Sequence, residues 1–261
     1  MSKFNKESDA VNPALTRMLT EGSMSRRGLM KLLSAGAVMS SGLIGFPQMS
    51  FAAETPVKGG KMRAAMSNAS ATDTLDPAKG NNSGDYTRQF MVYSGLTELD
   101  QKLAVQPGLA ESVESADGLT WQIKLRKGVT FHDGKPLTSK DVIYSLSRHK
   151  DPAVASNAFK LADQFKTFTA VNDNEVTLEL NSANFDVPYM LASAPFLIVQ
   201  DGTKDFSKGI GTGPFKLKEF SPGVRSVGVK NPNYYKPGLP HLDEIELLGV
   251  TDQAARVNAL M

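Results

Sequence analysis

The chain has 261 residues, of which 41% are hydrophobic and 21% are charged, with a formal net charge of +2 and no cysteine. The composition is that of an ordinary globular protein, and the lack of cysteine excludes a disulfide scaffold, a thiolate metal site, a cysteine nucleophile and a lipid-modified cysteine. The near-neutral charge offers no basic face for nucleic acid, so we expect no nucleic-acid partner. The three histidines, His132, His149 and His241, share no metal-ligand spacing, and we expect no metal and no cofactor.

The first 53 residues have the features of an export signal. Residues 32–46, LLSAGAVMSSGLIGF, contain no charge and are shorter than the ~20 apolar residues that a transmembrane helix needs. Basic residues precede this run, and small residues follow it in QMSFAAE at 48–54. That order is typical of a secretory signal, and we expect cleavage next to Ala52 or Ala53.

The start of this segment makes the prediction more specific. SRRGLMK (25–31) contains the adjacent residues Arg26 and Arg27 and resembles the twin-arginine export signal. Ordinary secretion and a retained anchor are the alternatives. The resemblance implies that Arg26 and Arg27 are read by the twin-arginine export machinery, and that residues 54–261 are the mature, soluble part.

After the leader, the sequence predicts a strand, a long loop and a helix. The run KMRAAMS (61–67) is short and apolar and predicts the strand. Residues 68–86 are rich in Asn, Ser, Asp, Gly and Pro, which favours a loop. Within 86–100 the apolar residues have helical spacing, and Gly95 is the predicted stop because glycine is favoured just past a helix end. The apolar positions of this helix are Phe90, Val92, Tyr93 and Leu96.

The next segment predicts a strand, a tight turn and a helix. Residues 119–134 alternate between apolar and polar, as expected of a half-buried antiparallel strand. The turn is HDGKP (132–136), since Asp-Gly favours positive φ angles. The helix covers 137–152, with Thr138 or Ser139 as its N-cap. The inward positions of the strand are Leu119, Trp121, Ile123 and Leu125.

The remaining chain predicts further strands and two helices. Residues 168–181 predict a hairpin around Asn172-Asp173-Asn174. Residues 185–200 predict an apolar helix that runs into a buried extended segment. Residues 251–261 predict a helix with Thr251 as its N-cap. Alternation predicts three more strands, within 209–220, 225–235 and 242–250.

Two motifs have both a chemical and a structural interpretation. FHDG (131–134) offers a metal or acid–base site, but His132 and Asp133 are adjacent and point in different directions in a strand or turn. We therefore interpret it as a turn. GIGTGPF (209–215) is Gly-rich, but it lacks the Lys-Ser/Thr pair of a phosphate loop and no predicted helix follows it. Trp121 lies on the apolar face of its strand, which predicts core packing.

Residues 107–152 contain a series of short motifs: PGLAESVESADGLTWQIKLRKGVTFHDGKPLTSKDVIYSLSRHKDP. Their order and spacing resemble the signature region of the family 5 extracellular solute-binding proteins. GTGPF (211–215), NPNYYKPGLPHLDEI (231–245), and Asp252 with Arg256 also match in order. The members of this family are periplasmic receptors of ABC importers for dipeptides, oligopeptides, nickel and related solutes.

The resemblance covers residues 57–261 and implies an α/β fold in which two lobes close around a ligand. It implies that residues 54–97 and 204–261 form a periplasmic-binding-protein type II lobe, and that 98–203 form an inserted α+β subdomain. Family members are longer, so we expect that the second lobe is missing from this chain. One departure is Tyr235, where the family usually has Trp; we interpret it as a tolerated packing change.

The resemblance also implies a function and a site. The chain is expected to be a periplasmic, monomeric receptor without catalytic activity that delivers a peptide or another small solute to ABC permease subunits. An exported cofactor-dependent enzyme is the alternative. In peptide-binding relatives the loop after the first strand offers backbone groups to the ligand, and by position that loop falls here on Asn81, Asn82, Ser83 and Gly84. GIGTGPF is expected to cross back into the first lobe.

Overall fold

The computed structural model describes residues 56–258. The predicted leader, with Arg26 and Arg27, lies outside these residues. The helices are α1 (Ser83–Val92), α2 (Ser139–Ser147), α3 (Phe159–Ala162), α4 (Val187–Met190) and α5 (Gln253–Asn258). The strands are β1 (Lys61–Met66), β2 (Thr97–Leu99), β3 (Val105–Pro107), β4 (Ala110–Glu114), β5 (Thr120–Leu125), β6 (Phe165–Asn172), β7 (Glu175–Leu180), β8 (Phe215–Ser221), β9 (Arg225–Lys230) and β10 (Glu244–Gly249). No helix among the described residues is long and apolar enough to cross a membrane.

The strands form two four-stranded sheets and one two-stranded ribbon. The mixed sheet has the order β1-β10-β9-β8, in which β1 and β10 are parallel and the other neighbours are antiparallel. The antiparallel sheet has the order β4-β5-β7-β6, and β2 pairs with β3 in the ribbon. The mixed sheet therefore depends on a contact between distant parts of the chain, because Lys61 is the partner of Glu244.

One face of the antiparallel sheet forms the larger hydrophobic core. Trp121 and Ile123 of β5 face inward, opposite Leu178 and Val176 of β7, as the alternation predicts. The indole N–H of Trp121 donates to the carbonyl of Gly118 at 3.2 Å, so its one polar group is satisfied inside the core. Trp121 is thus a core residue, as predicted.

Helix α2 covers this core, and its start is fixed by a local hydrogen bond. Of the two predicted N-caps, Thr138 is the one used: its backbone N–H donates to Asp141 Oδ2 at 2.8 Å. Asp141 also accepts from the backbone N–H of Asp201 at 2.8 Å, which ties the helix start to a later segment. Val142 and Leu146 then place the apolar stripe of α2 against the sheet.

Helix α1 packs on the mixed sheet and forms the smaller core. A glycine is needed at position 228 of β9, because a Cβ there would lie 2.8 Å from Met91 Sδ and 2.9 Å from Phe215 Cβ. The buried members of this core are Met66, Leu75, Met91, Val92, Tyr93, Ala194, Leu197, Val199, Phe215 and Leu247. The sheet's opposite face carries ion pairs, among them Lys61–Glu244 at 3.0 Å and Arg63–Glu246 at 2.7 Å.

Two predicted turns are confirmed. The hairpin of β6 and β7 reverses at residues 172–175, where the backbone N–H of Asn174 donates to Asn172 Oδ1 at 2.8 Å. In the FHDG turn, Gly134 has a φ of 91° and the backbone N–H of Phe131 donates to the carbonyl of Lys135 at 2.8 Å. Asn and Gly are the residues that tolerate such geometries at low cost.

The predicted helix over 86–100 is displaced toward the N-terminus. Helix α1 begins at Ser83 and ends at Val92, so Gly95 is not its stop. Phe90 is 44% exposed, because the burial of Met91 and Val92 sets the inward face of α1. Gly95 has a packing role instead: a Cβ there would lie 2.6 Å from the carbonyl oxygen of Thr97.

Three further predictions are wrong at the level of single elements. The helix predicted within 185–200 is reduced to the four-residue α4 and a short 3-10 turn, each with a proline in its first turn, whereas the buried extended segment predicted after it is present at residues 197–199. Leu119 precedes β5 and is 40% exposed. Asp252, rather than Thr251, caps α5, since its Oδ1 accepts the backbone N–H of Ala255 at 2.6 Å.

Candidate ligand-binding loop

The parallel strands β1 and β10 end at the same edge of the mixed sheet. The backbone N–H of Val250, just after β10, donates to the carbonyl of Met66, the last residue of β1, at 2.9 Å. Ligands of open α/β sheets bind beyond the carboxyl ends of the strands. The segment that leaves β1 at this edge, beginning with Ser67 and Asn68, is therefore the place to look for ligand contacts.

The predicted site residues lie at this edge, at the start of α1. Asn82 is the N-cap, and its Oδ1 accepts the backbone N–H of Asp85 at 3.0 Å. Ser83 and Gly84 belong to the first turn of the helix, whereas the sequence predicted a loop for all four residues. An Asn followed three residues later by an Asp, as in Asn82-Ser83-Gly84-Asp85, is a capping signal in the sequence that could have predicted this helix start.

The four predicted residues differ in what they can offer to a ligand. Asn81 and Ser83 are exposed and Asn82 is half-buried, so their side chains reach solvent. Gly84 is buried, and a Cβ at its position would lie 2.5 Å from the carbonyl oxygen of Asn68. Gly84 therefore permits a close approach between α1 and the segment after β1, and its own surface is covered.

The structure adds Asn68 to the predicted set. Asn68 is exposed, and its Nδ2 donates to Ser83 Oγ at 3.3 Å. The sequence signal for Asn68 is its position two residues after the first strand, at the edge where ligands bind. Asn68, Asn81, Asn82 and Ser83 together form a patch of uncharged hydrogen-bonding side chains.

Buried charges lie beneath this patch. Arg88 of α1 places Nη2 2.6 Å from Asp73 Oδ2 and Nη1 3.3 Å from Asp85 Oδ1. Asp85 Oδ1 also accepts the backbone N–H of Thr74 at 3.0 Å. These three charged side chains are almost fully buried, at 1%, 0% and 2% exposure for Arg88, Asp73 and Asp85. Sequence reasoning missed them, because charged residues in a polar loop are expected at the surface.

A second buried ion pair ties the same loop to α2. Arg148, just after α2, binds Asp76 through two parallel hydrogen bonds of 2.7 and 2.9 Å. Its guanidinium also lies over the ring of Phe206, 4.6 Å from the ring centre. Burial, and next the negative charge of Asp76, raise the pKa of the nearby Tyr93 hydroxyl well above its ordinary value. Tyr93 therefore stays neutral.

His132 and Asp133 have separate structural partners, as the turn interpretation requires. His132 Nε2 lies 3.1 Å from the carbonyl oxygen of Gly213, and the backbone N–H of Gly211 donates to Nδ1 at 3.3 Å. A neutral imidazole satisfies both contacts, and burial lowers the pKa of His132 below its ordinary value. Asp133 instead contacts Gln200 and Lys135. No group of three or more potential metal-ligating side chains occurs in the part of the chain that the structure describes.

The Gly-rich motif serves close packing. A Cβ at Gly211 would lie 2.0 Å from the carbonyl oxygen of Val92, and a Cβ at Gly213 would lie 2.5 Å from the carbonyl carbon of Val92. The strand β8 follows this motif, where a phosphate loop requires a helix. GIGTGPF therefore lacks the strand–loop–helix context of a phosphate loop.

One groove among the described residues lies away from this patch. It has a volume of about 550 Å³ on the polar face of the antiparallel sheet, and it is open and shallow. Its charged lining residues are Glu114, Asp117, Lys124 and Glu175. Asn68 and residues 81–84 are not among the residues that line this groove.

The fold and the sequence define the class of this protein. The profile of the bacterial extracellular solute-binding proteins, family 5, matches residues 104–261. The chain therefore belongs to this family of solute-binding proteins. Its solved structural neighbours are type II periplasmic binding proteins, which confirms the predicted α/β fold class.

Individual relatives show how far the similarity extends. The oligopeptide-binding protein AppA of Bacillus subtilis (strain 168) is 32% identical over 183 residues, which are 65% of this chain and 34% of AppA. The glutathione-binding protein GsiB of Escherichia coli O6:K15:H31 (strain 536 / UPEC) is 29% identical over 245 residues, 91% of this chain and 45% of GsiB. The chain thus spans less than half the length of these relatives.

Two solved structures support the same fold. AppA from Bacillus subtilis in complex with a nonapeptide has a TM-score of 0.72 and 28% identity, covering 79% of this chain and 43% of AppA. AgaA from A. tumefaciens R10 in complex with agropinic acid has a TM-score of 0.71 and 28% identity, covering 77% of this chain and 42% of AgaA.

Proposed function

We propose that the protein is the solute receptor of a bacterial ABC importer. It captures a peptide or a related small solute outside the cytoplasmic membrane and delivers it to the permease subunits. The observation that carries this proposal is the family match over residues 104–261. The patch of Asn68 and residues 81–83 at the carboxyl edge of the mixed sheet supports it, because this edge is where an α/β lobe meets its ligand.

The proposed lobe consists of residues 54–97 and 204–261, and 98–203 form the inserted subdomain. Two separate hydrophobic cores support this division. The larger core takes its buried residues from between Leu96 and Ile198. The smaller core takes five of its ten buried residues from α1 and the mixed sheet, and three from residues 194–199. Since a two-lobed receptor encloses its ligand between both lobes, we expect residues 54–261 alone to show no measurable affinity in calorimetry.

A peptide or a small peptide-like molecule is the proposed solute. The neutral amide and hydroxyl groups of the patch can donate to and accept from a peptide backbone without requiring a charged ligand. The relatives AppA and GsiB are an oligopeptide-binding and a glutathione-binding protein, and both of these ligands belong to the same chemical class.

The test is calorimetry on the monomeric protein expressed from its complete gene. Glutathione, a tripeptide and a nonapeptide are titrated in turn, with agropinic acid as a probe of another class. Micromolar binding of one of the three peptides supports the proposal. Binding of agropinic acid alone would contradict the peptide class, and binding of none of the four probes would contradict the proposed solute range.

Variants of the patch test the site itself. We expect Asn81→Ala and Ser83→Ala each to weaken peptide binding about fivefold to tenfold, since a neutral hydrogen bond contributes about 0.5–1.5 kcal/mol. Thr87→Ala is the matched control, because Thr87 is exposed one turn further along α1 and its Oγ1 donates to the carbonyl of Ser83. Equal affinities for all three variants would show that Asn81 and Ser83 do not contact the peptide.

We further propose that the twin-arginine export machinery carries the protein to the periplasm. The replacement of Arg26 and Arg27 by lysine keeps the charge but removes the pair of guanidinium groups. We expect the precursor of this variant to accumulate in the cytoplasm, as measured by cell fractionation. Lys31→Arg is the control and should be exported normally. Normal export of the double variant would favour ordinary secretion.

A further inference from the structure

Arg88 is a fully buried cation at the base of the candidate ligand patch. It lies on α1 and contacts Asp73 of the segment after β1 and Asp85 of the first helical turn, at 2.6 and 3.3 Å. A buried ion pair is costly to form, and similar stability is usually available from apolar residues of the same volume. The presence of these charges therefore suggests a role in fixing geometry.

The two carboxylates that contact Arg88 also accept hydrogen bonds from the segment after β1 and from the turn between β8 and β9. Asp73 Oδ2 accepts the backbone N–H of Gly223, in the turn between β8 and β9, at 3.1 Å, and Asp73 Oδ1 accepts the backbone N–H of Ser70 at 3.1 Å. Asp85 Oδ1 accepts from Thr74 at 3.0 Å. Both loops that border the patch are thus held through acceptors that Arg88 neutralises.

The same network reaches the ligand patch directly. Asp85 Oδ2 accepts Asn82 Nδ2 at 3.1 Å and the backbone N–H of Asn81 at 3.4 Å. The side chain of Asn82 is therefore oriented by Asp85 on one atom while its Oδ1 caps α1. An arginine suits this position because its planar fork can meet two carboxylates at a fixed separation, whereas a lysine ammonium is a single point charge.

We propose that Arg88 is a positioning residue of the solute site, which holds residues 68–84 in their binding arrangement before a ligand arrives. The inference rests on the proposed function, because it assigns the patch to the solute. Preorganisation of this kind raises affinity by removing the entropic cost of ordering the loop on binding. Arg148 binds Asp76 in the same segment. Asp85, the partner of Arg88, is the residue that contacts Asn81 and Asn82.

The experiment measures hydrogen–deuterium exchange of the ligand-free, complete protein. The backbone N–H groups of Ser70, Thr74, Asn81 and Gly223 donate to Asp73 or Asp85. In Arg88→Met these two carboxylates lose the cation that neutralises them. We expect the peptides that contain these amides to exchange about a hundredfold faster, relative to the amides of β5 in the same sample, because removing one partner of a buried ion pair leaves the other charge uncompensated.

Three controls separate positioning from general destabilisation. Arg63→Met removes an exposed ion pair of the mixed sheet and should leave the exchange of these peptides unchanged. Leu178→Ala weakens the core of the antiparallel sheet, and the faster exchange that it causes should not be concentrated in residues 68–84. Arg88→Lys keeps the charge but not the fork, and should give exchange rates between those of wild type and Arg88→Met.

Two results would overturn the proposal. One is an Arg88→Met variant whose residues 68–84 exchange as in wild type; the other is an acceleration spread evenly over the molecule, as for Leu178→Ala. The exchange needs no ligand, so failure of the proposed function is seen separately, as wild type that binds neither glutathione, nor a tripeptide, nor a nonapeptide. With a peptide that binds, Arg88→Met should also lower affinity by about tenfold, while Arg63→Met leaves it unchanged.

Discussion

The two four-stranded sheets of this protein are stabilised in different ways. The antiparallel sheet is built from strands that are near one another in sequence, and its inward face is continuous apolar packing from Trp121 and Ile123 to Leu178. The mixed sheet joins β1 to β10 from opposite ends of the described chain. Its outer face carries ion pairs, and its inner core is small.

This difference separates the part of the molecule that maintains the fold from the part that presents the site. Local strand pairs with a large apolar face form early and stably, whereas long-range pairs need other contacts to compensate for loop closure. Beside the mixed sheet, the segment that follows β1 is held by buried ion pairs, Arg88–Asp73 and Arg148–Asp76. The candidate ligand patch lies on this second region, where directional contacts fix the loops.

The largest expected effect is on the antiparallel sheet. We expect Trp121→Ala to lower the free energy of unfolding by about 3–5 kcal/mol, because it removes a large buried ring and leaves a cavity. Urea denaturation measures this loss. Trp121→Phe retains most of the apolar volume and loses the hydrogen bond to Gly118, so it should cost much less. Equal losses for both variants would mean that packing does not dominate this sheet.

The next effect lies at the junction between the two regions. A Cβ at Gly213 would meet the backbone of Val92 and Tyr93 at 2.5–2.8 Å, and backbone cannot yield as a side chain can. We expect Gly213→Ala to cost about 3 kcal/mol, at the upper end of overpacking effects. Gly128→Ala is the comparison: Gly128 has a φ of 77° and open space around it, so only backbone strain of about 1 kcal/mol arises. A smaller cost at Gly213 would contradict the close approach seen there.

A pH effect of intermediate size comes from the helical layer over the antiparallel sheet. His149 packs edge-on against Phe196, and burial, followed by the charge of Arg148, lowers its pKa from 6.5 to about 4. Since the unfolded state binds the proton more readily, stability is lost as the pH falls from about 6.5 toward 4. The loss between pH 6.5 and 5 is about 2 kcal/mol.

The measurement compares urea midpoints at pH 7 and pH 5. Wild type should lose stability over this interval, and His149→Gln should lose less, whatever its absolute stability. His132, whose pKa is also lowered by burial, adds to the loss in the same direction and remains in both proteins. The same pH-dependent loss in both proteins would show that folding does not lower the pKa of His149.

The smallest expected effect is on the outer face of the mixed sheet. Glu244 contacts Lys61 at 3.0 Å and Lys218 at 3.1 Å, and hydrogen bonds from both lysines lower the pKa of its carboxyl. Exposed ion pairs contribute little, so we expect Glu244→Gln to shift the urea midpoint only slightly. High salt, at which the Debye length is about 3 Å, should abolish the difference. A large loss that persists in high salt would mean that this face, like the other sheet, depends on buried packing.

Local sequence patterns determined the elements whose contacts are local. The alternation in β5 and β7, the Asn-Asp-Asn turn, the Asp-Gly turn and the Thr138 cap were all predictable, because period, turn chemistry and capping act within a few residues. The family resemblance was also carried by the sequence, and it implied a site at residues 81–84, where Ser83 Oγ accepts a hydrogen bond from Asn68 Nδ2.

Only the tertiary structure decided the features that depend on distant partners. The end of the segment 185–200 is extended because the backbone N–H groups of Ile198 and Val199 donate to the carbonyl of Ser94 and the hydroxyl of Ser145, respectively. Arg88 is buried because two carboxylates and α1 enclose it, although a charged side chain is ordinarily found at the surface. Packing and long-range hydrogen bonds override local propensity wherever the partner lies far away in the chain, and that is also where the candidate site of this protein is built.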